Sequence, residues 1–195
     1  MKNFNSLILL LFLILVSTSL FARKPRLLMI VPPDLYHDTE FSDPMLALDS
    51  AGVKVTIAST KTGTIKGVIK DSIQSTMLLS NVRVKNFDAI CIMGGTGTGK
   101  YLWENEQVKE LILAFDKKEK LVTGICAGAV SLARAGVLKD KAATTYPVKG
   151  FIQQLENAGA KYSADPVIID GRIVTANGPV GARNFGRAIV RELEK

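Results

Sequence analysis

The chain has 195 residues and a formal net charge of +7, and 47% of its residues are hydrophobic while 22% are charged. These proportions are those of ordinary globular proteins and exclude a disordered or fibrous chain, and the length suits one domain. The lysines and arginines are scattered rather than gathered in one block, so we expect no nucleic acid among the partners of the protein.

The first residues differ in composition from the rest of the chain. Leu7–Val16 contains only Leu, Ile, Phe and Val, a run of about ten residues that is shorter than a membrane span. A short segment ending in the small residue Ala22 follows. The pattern predicts a signal peptide over residues 1–22, a mature domain over residues 23–195, and an exported protein, periplasmic or secreted. A cut near Ser19, an uncleaved signal that anchors the protein in a membrane, and a buried core helix are the alternatives.

The first part of the mature chain shows alternating strand and helix patterns. In chain order they predict a buried strand at Leu27–Val31, a helix at Phe41–Ala51, a strand at Val53–Ile57, and a small hairpin or irregular arm at Thr62–Val68. Two prolines follow the first strand and a glycine follows the helix, which are typical ends of these elements. This order is a β-α-β unit.

The same alternation continues through the second part of the chain. It predicts strands at Ala89–Met93 and Leu121–Ile125, helices at Val108–Phe115 and Ala127–Ala135, an edge hairpin from Val167–Ile169 to Ile173–Thr175, and a closing helix at Phe185–Leu193. Strands that alternate with helices of about ten residues indicate an α/β fold with a mostly parallel sheet covered on both faces. Ligands bind at the carboxyl ends of such strands, which selects the loops at residues 32–40, 94–100 and 126–128.

The last of these loops contains the strongest motif of the sequence. Cys126 is flanked by Gly124 and Gly128 where a predicted strand meets a predicted helix, which is the nucleophile-elbow pattern with cysteine in place of serine. A helix N-terminus lowers the pKa of a thiol, so we expect a reactive thiolate here. The alternative is a buried cysteine that acts as a small hydrophobic side chain.

A nucleophilic thiol needs a partner that moves protons. The single histidine of the chain is His37, so a Cys-His pair would have to recruit it from the first loop. Glu40 is the better candidate, since a carboxylic acid with a raised pKa can do the same work, although it can also be a plain acid at a helix start. Cys91 lies inside a strand, so we do not expect it to form a disulfide with Cys126.

The glycine-rich loop Gly94–Lys100 nearly matches a phosphate-binding loop, but Tyr101 replaces the Ser or Thr that would bind Mg²⁺. A tight loop whose backbone N–H groups border the cleft is the better interpretation. The N–H groups of Gly95 and Ala127 could then form an oxyanion hole. With one histidine and no cluster of metal-ligand spacing, we expect no metal and no cofactor.

Several segments together resemble a known family. They are Phe87–Gly95, Gly124–Gly128, Ala143–Pro147, Asp170-Gly171 and Gly178-Pro179. In these segments the chain resembles the ThiJ/PfpI family, and the resemblance extends from about Leu27 to Leu193. It implies a flavodoxin-like three-layer sandwich, commonly a homodimer, with Cys126 as the elbow cysteine, Glu40 as its acidic partner, and oxyanion amides at Gly95 and Ala127.

The chain also departs from the pattern of that family. The peptidase-like branch has a histidine directly after the cysteine, where this chain has Ala127. Another branch often has a histidine where Tyr146 stands. His37 and Tyr146 are therefore auxiliary candidates, and the departure at Ala127 argues against a peptidase.

Activities in the family differ, and the fold does not choose among them. We expect cofactor-free glyoxalase or deglycase-type chemistry on small reactive carbonyl compounds, or protection against oxidative stress. The alternative is a non-enzymatic redox sensor or chaperone that binds client proteins, and a cysteine peptidase or amidohydrolase is a weaker one. We expect contact with a membrane only through an uncleaved signal.

Overall fold

The computed structural model describes residues 23–195 of the chain. The predicted signal peptide, residues 1–22, lies outside the described residues, so its cleavage and the export of the protein stay predictions. Within residues 23–195 the structure contains no helix with the length and apolar character that crossing a membrane requires.

A seven-stranded sheet forms the centre of the molecule, with two small two-stranded sheets beside it. The strands are β1 Arg26–Ile30, β2 Lys54–Ser59, β3 Gly63–Lys66, β4 Ser72–Ser75, β5 Met77–Leu78, β6 Ala89–Ile92, β7 Leu121–Ile125, β8 Ala142–Ala143, β9 Lys161–Tyr162, β10 Val167–Asp170 and β11 Ile173–Ala176. The main sheet has the order β10-β11-β7-β6-β1-β2-β5. Its strands pair in parallel except for the β10–β11 hairpin at the edge. The predicted mostly parallel sheet with an edge hairpin is confirmed.

Helices cover both faces of this sheet. They are α1 Asp38–Ser50, α2 Thr96–Tyr101, α3 Glu106–Lys117, α4 Ala127–Arg134, α5 Lys149–Asn157 and α6 Pro179–Leu193. Alternate residues of β1 point to opposite faces. Leu28 belongs to a core that contains residues of α3, α4 and α5, and Leu27 belongs to a second core with residues of α1 and α6. The three-layer α/β arrangement is therefore confirmed.

Several element boundaries differ from the predictions, and the helix Lys149–Asn157 and the strands β5, β8 and β9 were not predicted. Helix α1 begins at Asp38 rather than Phe41, so Glu40 lies in its first turn. Helix α6 begins at Pro179 rather than Phe185, because a proline in the first helical turn needs no N–H partner. The predicted loop Gly94–Lys100 mostly forms the short helix α2, in which the hydroxyl of Thr98 donates to the carbonyl of Met93 at 2.8 Å. The N–H of Gly97 also donates to the carbonyl of Leu35 at 3.1 Å, and a tertiary contact of this kind can override the low helix propensity of glycine.

The predicted arm at Thr62–Val68 is the first half of an antiparallel hairpin, and its second strand, β4, lies beyond the predicted range. Asp38 attaches the turn of this hairpin to the start of α1. Its buried carboxylate accepts backbone N–H groups from Ile69, Lys70 and Asp71 at 3.0, 3.1 and 2.8 Å. The hairpin is thereby fixed two residues away from Glu40.

Candidate active site

Cys126 lies on a sharp turn between β7 and α4. Its φ of 55° and ψ of −123° are an unusual backbone conformation for a residue other than glycine. Its backbone N–H donates to the carbonyl of Ala176 at 2.8 Å, which ties the turn to the end of β11. This is the geometry of the predicted nucleophile elbow.

The two flanking glycines are required by close backbone approaches. A Cβ on Gly124 would lie 2.9 Å from the carbonyl oxygen of Gly128, and a Cβ on Gly128 would collide with the carbonyl oxygen of Ile92. Real Cβ contacts are longer than this, so a side chain at either position would displace α4 from the sheet. The glycine pattern is therefore the steric condition for the elbow.

Glu40 is fully buried and lies beside Cys126. The pair fits between two glycines. A Cβ on Gly94 would collide with Oε2 of Glu40 and lie 2.8 Å from Cβ of Cys126, and a Cβ on Gly178 would lie 3.4 Å from Oε1 of Glu40 and 3.7 Å from Cβ of Cys126. The predicted acid and the predicted nucleophile are therefore neighbours in one buried space.

Burial controls the protonation of this pair. It raises the pKa of Glu40 to about 8, and the thiol of Cys126 offsets the effect only in part. Neither oxygen of the Glu40 carboxyl has a hydrogen-bond partner among the described residues. Because the charged form is poorly solvated, Glu40 holds its proton at neutral pH.

The predicted lowering of the Cys126 pKa is wrong for this environment. Burial raises the pKa of the thiol and the negative charge of an ionised Glu40 raises it further, while the backbone N–H groups of Ala127 and Gly95 lower it. The position of Cys126 at a helix start suggested a lowered pKa, because the sequence does not show how far the thiol is desolvated. A protonated Glu40 is neutral, so it no longer raises the pKa of the Cys126 thiol by charge repulsion.

The two predicted oxyanion amides come together at the sulfur. Gly95 precedes α2 with a φ of 111°, and Ala127 is the first residue of α4. The backbone N–H groups of both residues lie close enough to the thiol of Cys126 to lower its pKa. The structure thus assembles Cys126, Glu40, Gly95 and Ala127 in one place, and their chemical roles stay predictions.

Comparison with known proteins gives a family match over most of the chain. The model of the DJ-1/PfpI family matches residues 25–192. The chain belongs to the DJ-1/PfpI family.

Relatives cover most of the chain. An uncharacterized protein of Methanocaldococcus jannaschii is 38% identical over 89% of this chain and 84% of its own length. The glutathione-independent glyoxalase DJR-1.2 of Caenorhabditis elegans is 31% identical over 89% of this chain and 91% of its own. The crystal structure of a ThiJ/PfpI domain protein from Brachyspira murdochii superposes with a TM-score of 0.84 at 28% identity, covering 89% of this chain and 98% of that one. The predicted flavodoxin-like fold is confirmed.

Within this DJ-1/PfpI site, His37 contributes its backbone. The N–H of His37 donates to the carbonyl of Gly94 at 3.3 Å. Burial lowers the pKa of the imidazole, an effect that Asp38 opposes. The groups that shift the pKa of Cys126 are Glu40, Ala127 and Gly95, and the His37 imidazole is not among them. The structure therefore gives no support for a Cys-His pair.

Tyr146 lies at the rim of the site. Its side chain is exposed, and a Cβ on Gly178 would lie 3.1 Å from its Cδ2 atom. The ring therefore borders the entrance to the space that holds Cys126 and Glu40. This position suits an auxiliary contact with a bound molecule.

Sequence reasoning did not assign three residues that build the site. Gly178 packs against the pair, Thr145 donates its hydroxyl to the carbonyl of Cys126 at 2.8 Å, and the indole of Trp103 donates to the carbonyl of Ala127 at 2.9 Å. Gly178 and Thr145 lie in segments that carry the family resemblance, which was the available signal. Nothing local marks Trp103 except that it is the single tryptophan of the chain.

Metal-ligating side chains do not cluster in the described part of the chain. In residues 23–195 there is no group of three or more His, Cys, Asp or Glu side chains placed to hold a metal ion. Both described cysteines are free, and Cys91 is buried in β6.

Proposed function

We propose that the protein converts small reactive carbonyl compounds by cofactor-free glyoxalase or deglycase-type chemistry. The observation that carries the proposal is the buried pair of Glu40 and Cys126, in which the carboxyl has a pKa of about 8. An acid with a pKa near the working pH can both donate and accept a proton. The similarity to a glutathione-independent glyoxalase supports the same chemistry.

The first chemical step is addition of the thiol to an aldehyde such as that of methylglyoxal. The sulfur of Cys126 forms a bond to the aldehyde carbon, and the aldehyde oxygen becomes an oxyanion beside the N–H groups of Gly95 and Ala127. In the fraction of molecules in which Glu40 is ionised, its carboxylate takes the proton of the thiol and passes it to this oxygen, so that Glu40 is again a carboxylate. The product is a hemithioacetal.

The second step is an internal proton transfer. Glu40, as the carboxylate, removes the proton from the carbon bonded to sulfur and returns it to the neighbouring carbonyl carbon through an enediol, while the hydroxyl proton on the first carbon moves to the oxygen of the second. One carbon is oxidised and its neighbour is reduced, so no external oxidant is needed. The resulting thioester reacts with water, which releases a hydroxy acid and restores the thiol.

The site also restricts the size of its substrates. Gly94 and Gly178 pack directly against the reacting side chains, and Cys126 is only 8% exposed. A bulky substituent next to the carbonyl carbon has little room there. Two-carbon and three-carbon dicarbonyl compounds fit this constraint best.

The test is consumption of methylglyoxal by residues 23–195 without glutathione or added metal, with lactate as the measured product. We expect Cys126→Ala to abolish turnover and Cys91→Ala, which removes the other thiol, to keep it. Lack of turnover in the unmodified protein, or turnover that survives Cys126→Ala, would refute the proposal.

A second candidate function is redox sensing at the same cysteine. Two backbone N–H groups and a protonated carboxyl surround the sulfur, and these donors can hydrogen-bond to the oxygens of a sulfinate. Mass spectrometry after mild peroxide treatment would show Cys126 gaining two oxygen atoms and stopping there. Chaperone action on client proteins would then be tested on the reduced and oxidised forms.

Export and self-association are proposed on the sequence and the family resemblance. Amino-terminal sequencing of the protein from its host tests cleavage after Ala22 against an uncleaved signal that retains it in the membrane. Light scattering of residues 23–195 tests the homodimer. A cytosolic protein with an intact amino terminus would overturn the proposed localisation.

A further inference from the structure

Thr145 occupies a buried position behind the elbow. It follows β8 in the chain and is fully buried. Its hydroxyl donates to the carbonyl of Cys126 at 2.8 Å, and a carbonyl can only accept, so the direction of this bond is certain. The same carbonyl also accepts the N–H of Ala129 at 3.1 Å.

This carbonyl belongs to the peptide unit that joins Cys126 to Ala127. In a trans peptide the C=O and the N–H of one unit point in opposite directions. The hydrogen bond from Thr145 to the carbonyl therefore fixes the orientation of the peptide plane, and with it the direction in which the N–H of Ala127 points toward the sulfur. It also polarises the peptide, which strengthens that N–H as a donor.

We propose that Thr145 is a positioning residue for the proposed chemistry, which orients and strengthens the Ala127 N–H as an oxyanion donor through the Cys126–Ala127 peptide. This inference rests on the proposed function for its effect on turnover. The effect of Thr145 on the pKa of the Cys126 thiol does not depend on turnover, because the N–H of Ala127 also stabilises the thiolate.

The neighbouring residue provides a matched control. Thr144 is also fully buried, and its hydroxyl has no hydrogen-bond partner among the described residues. Thr144→Val and Thr145→Val both exchange a buried hydroxyl for a methyl group of similar shape. In Thr145→Val the carbonyl of Cys126 keeps its bond from Ala129, so no buried acceptor is left without a partner.

The experiment compares Thr145→Val, Thr145→Ser and Thr144→Val with the unmodified protein. The measured quantities are kcat and KM for methylglyoxal and the pH dependence of Cys126 alkylation by iodoacetamide. Weakening one oxyanion donor should lower kcat about tenfold in Thr145→Val, since full removal of such a donor costs about a hundredfold or more. KM should change by less than about twofold, because the contact acts mainly in the transition state.

The alkylation profile gives the second readout. The apparent pKa of Cys126 should rise in Thr145→Val, while Thr145→Ser, which keeps the hydroxyl, and Thr144→Val should match the unmodified protein. The proposal is overturned if Thr145→Val keeps the normal kcat and alkylation profile, or if Thr145→Ser is as impaired as Thr145→Val. If Thr145→Val does not fold, Thr145→Ala takes its place against Thr145→Ser.

The two proposals can fail separately. If the unmodified protein does not consume methylglyoxal, the proposed carbonyl chemistry fails, and the shift in the alkylation profile still decides the role of Thr145. If turnover is present and neither readout moves in Thr145→Val, the positioning role alone is wrong.

Discussion

The thiol of Cys126 and the carboxyl of Glu40 share one buried space, although one residue follows β7 and the other lies in the first turn of α1. Gly94 and Gly178 close this space from two sides. Water is largely excluded, so each group determines the charge that the other can carry. The protonation of the pair is therefore the property on which the proposed activity and the expected pH response of the protein depend.

Glu40→Gln tests this coupling through stability. The folded pKa of Glu40, about 8, lies above the ordinary value of 4.5, so the folded state binds this proton more tightly than the unfolded state. The contribution of Glu40 to the free energy of unfolding should be complete below pH 4.5 and should be lost as pH rises toward 8, by a few kcal/mol at most. Glu40→Gln should remove this fall and be the more stable protein at pH 8, as measured by urea unfolding.

The same variant separates catalysis from folding. Because Gln cannot transfer a proton, methylglyoxal turnover should fall by roughly a hundredfold or more while the fold is retained. Parallel stability curves for the variant and the unmodified protein between pH 5 and 8 would contradict the raised pKa of Glu40.

Gly178→Ala tests the packing around the pair. The backbone at Gly178 has a φ of 113°, and a Cβ would lie 3.1 Å from Tyr146 and 3.4 Å from Glu40. We expect a loss of about 1–3 kcal/mol in stability from the strained backbone and at least about a tenfold loss in kcat from the displaced carboxyl.

Gly136→Ala is the control for backbone strain alone. Gly136 has a φ of 81°, a Cβ at this position would have no atom within 4 Å, and the residue lies after α4, away from the site. The variant should lose stability and keep its kcat. Equal kcat values for the two alanine variants would show that Gly178 does not shape the site.

Asp38→Asn tests the attachment of the β3–β4 hairpin. Burial acts to raise the pKa of Asp38, but bonds from three backbone N–H groups outweigh it and lower the pKa to about 2. This stabilisation is present above the ordinary pKa of 3.8 and is lost as pH falls through 2. Asp38→Asn should cost about 1–3 kcal/mol at pH 7, and the difference should shrink between pH 4 and 2.

Asp43→Asn is the matched control on the same helix. Asp43 has only a 3.9 Å ion pair with the exposed Arg183, which should contribute less than about 1 kcal/mol. Chemical unfolding at several pH values measures both variants. A difference between Asp38→Asn and the unmodified protein that does not change with pH would rule out the charged hydrogen bonds as its source.

Trp103→Phe tests the support of α4. Trp103 donates to the carbonyl of Ala127, and its ring packs on Phe151 at 5.3 Å and under Arg134 at 5.1 Å. Losing the N–H while keeping an aromatic ring should cost about 1 kcal/mol. Tyr101→Phe, which changes a partly exposed ring at the end of α2, should stay within about 0.5 kcal/mol. Thermal unfolding followed by circular dichroism measures both, and equal stability would mean that the indole bond contributes nothing.

The elbow could be predicted from the sequence because its requirements are local. Gly124, Cys126 and Gly128 are close in the chain, and the steric need for glycine at position 124 arises within one strand-turn-helix unit, whereas Gly128 is required by the neighbouring strand β6. Strands β1, β6 and β7 were predicted for a similar reason, since continuous apolar runs identify buried parallel strands. Helix α2 was missed because the contacts that stabilise its glycine-rich segment come from residues distant in the sequence.

The sequence by itself determined the α/β fold and identified Cys126 as the candidate nucleophile and Glu40, Gly95 and Ala127 as candidate partners. Only the tertiary structure decided that these groups meet and that Gly178, Thr145 and Trp103 surround them. It also reversed the expected direction of the Cys126 pKa. The physical reason is that hydrophobic periodicity and the steric need for glycine involve residues close in the chain, whereas desolvation depends on how many atoms from distant residues exclude water from a group.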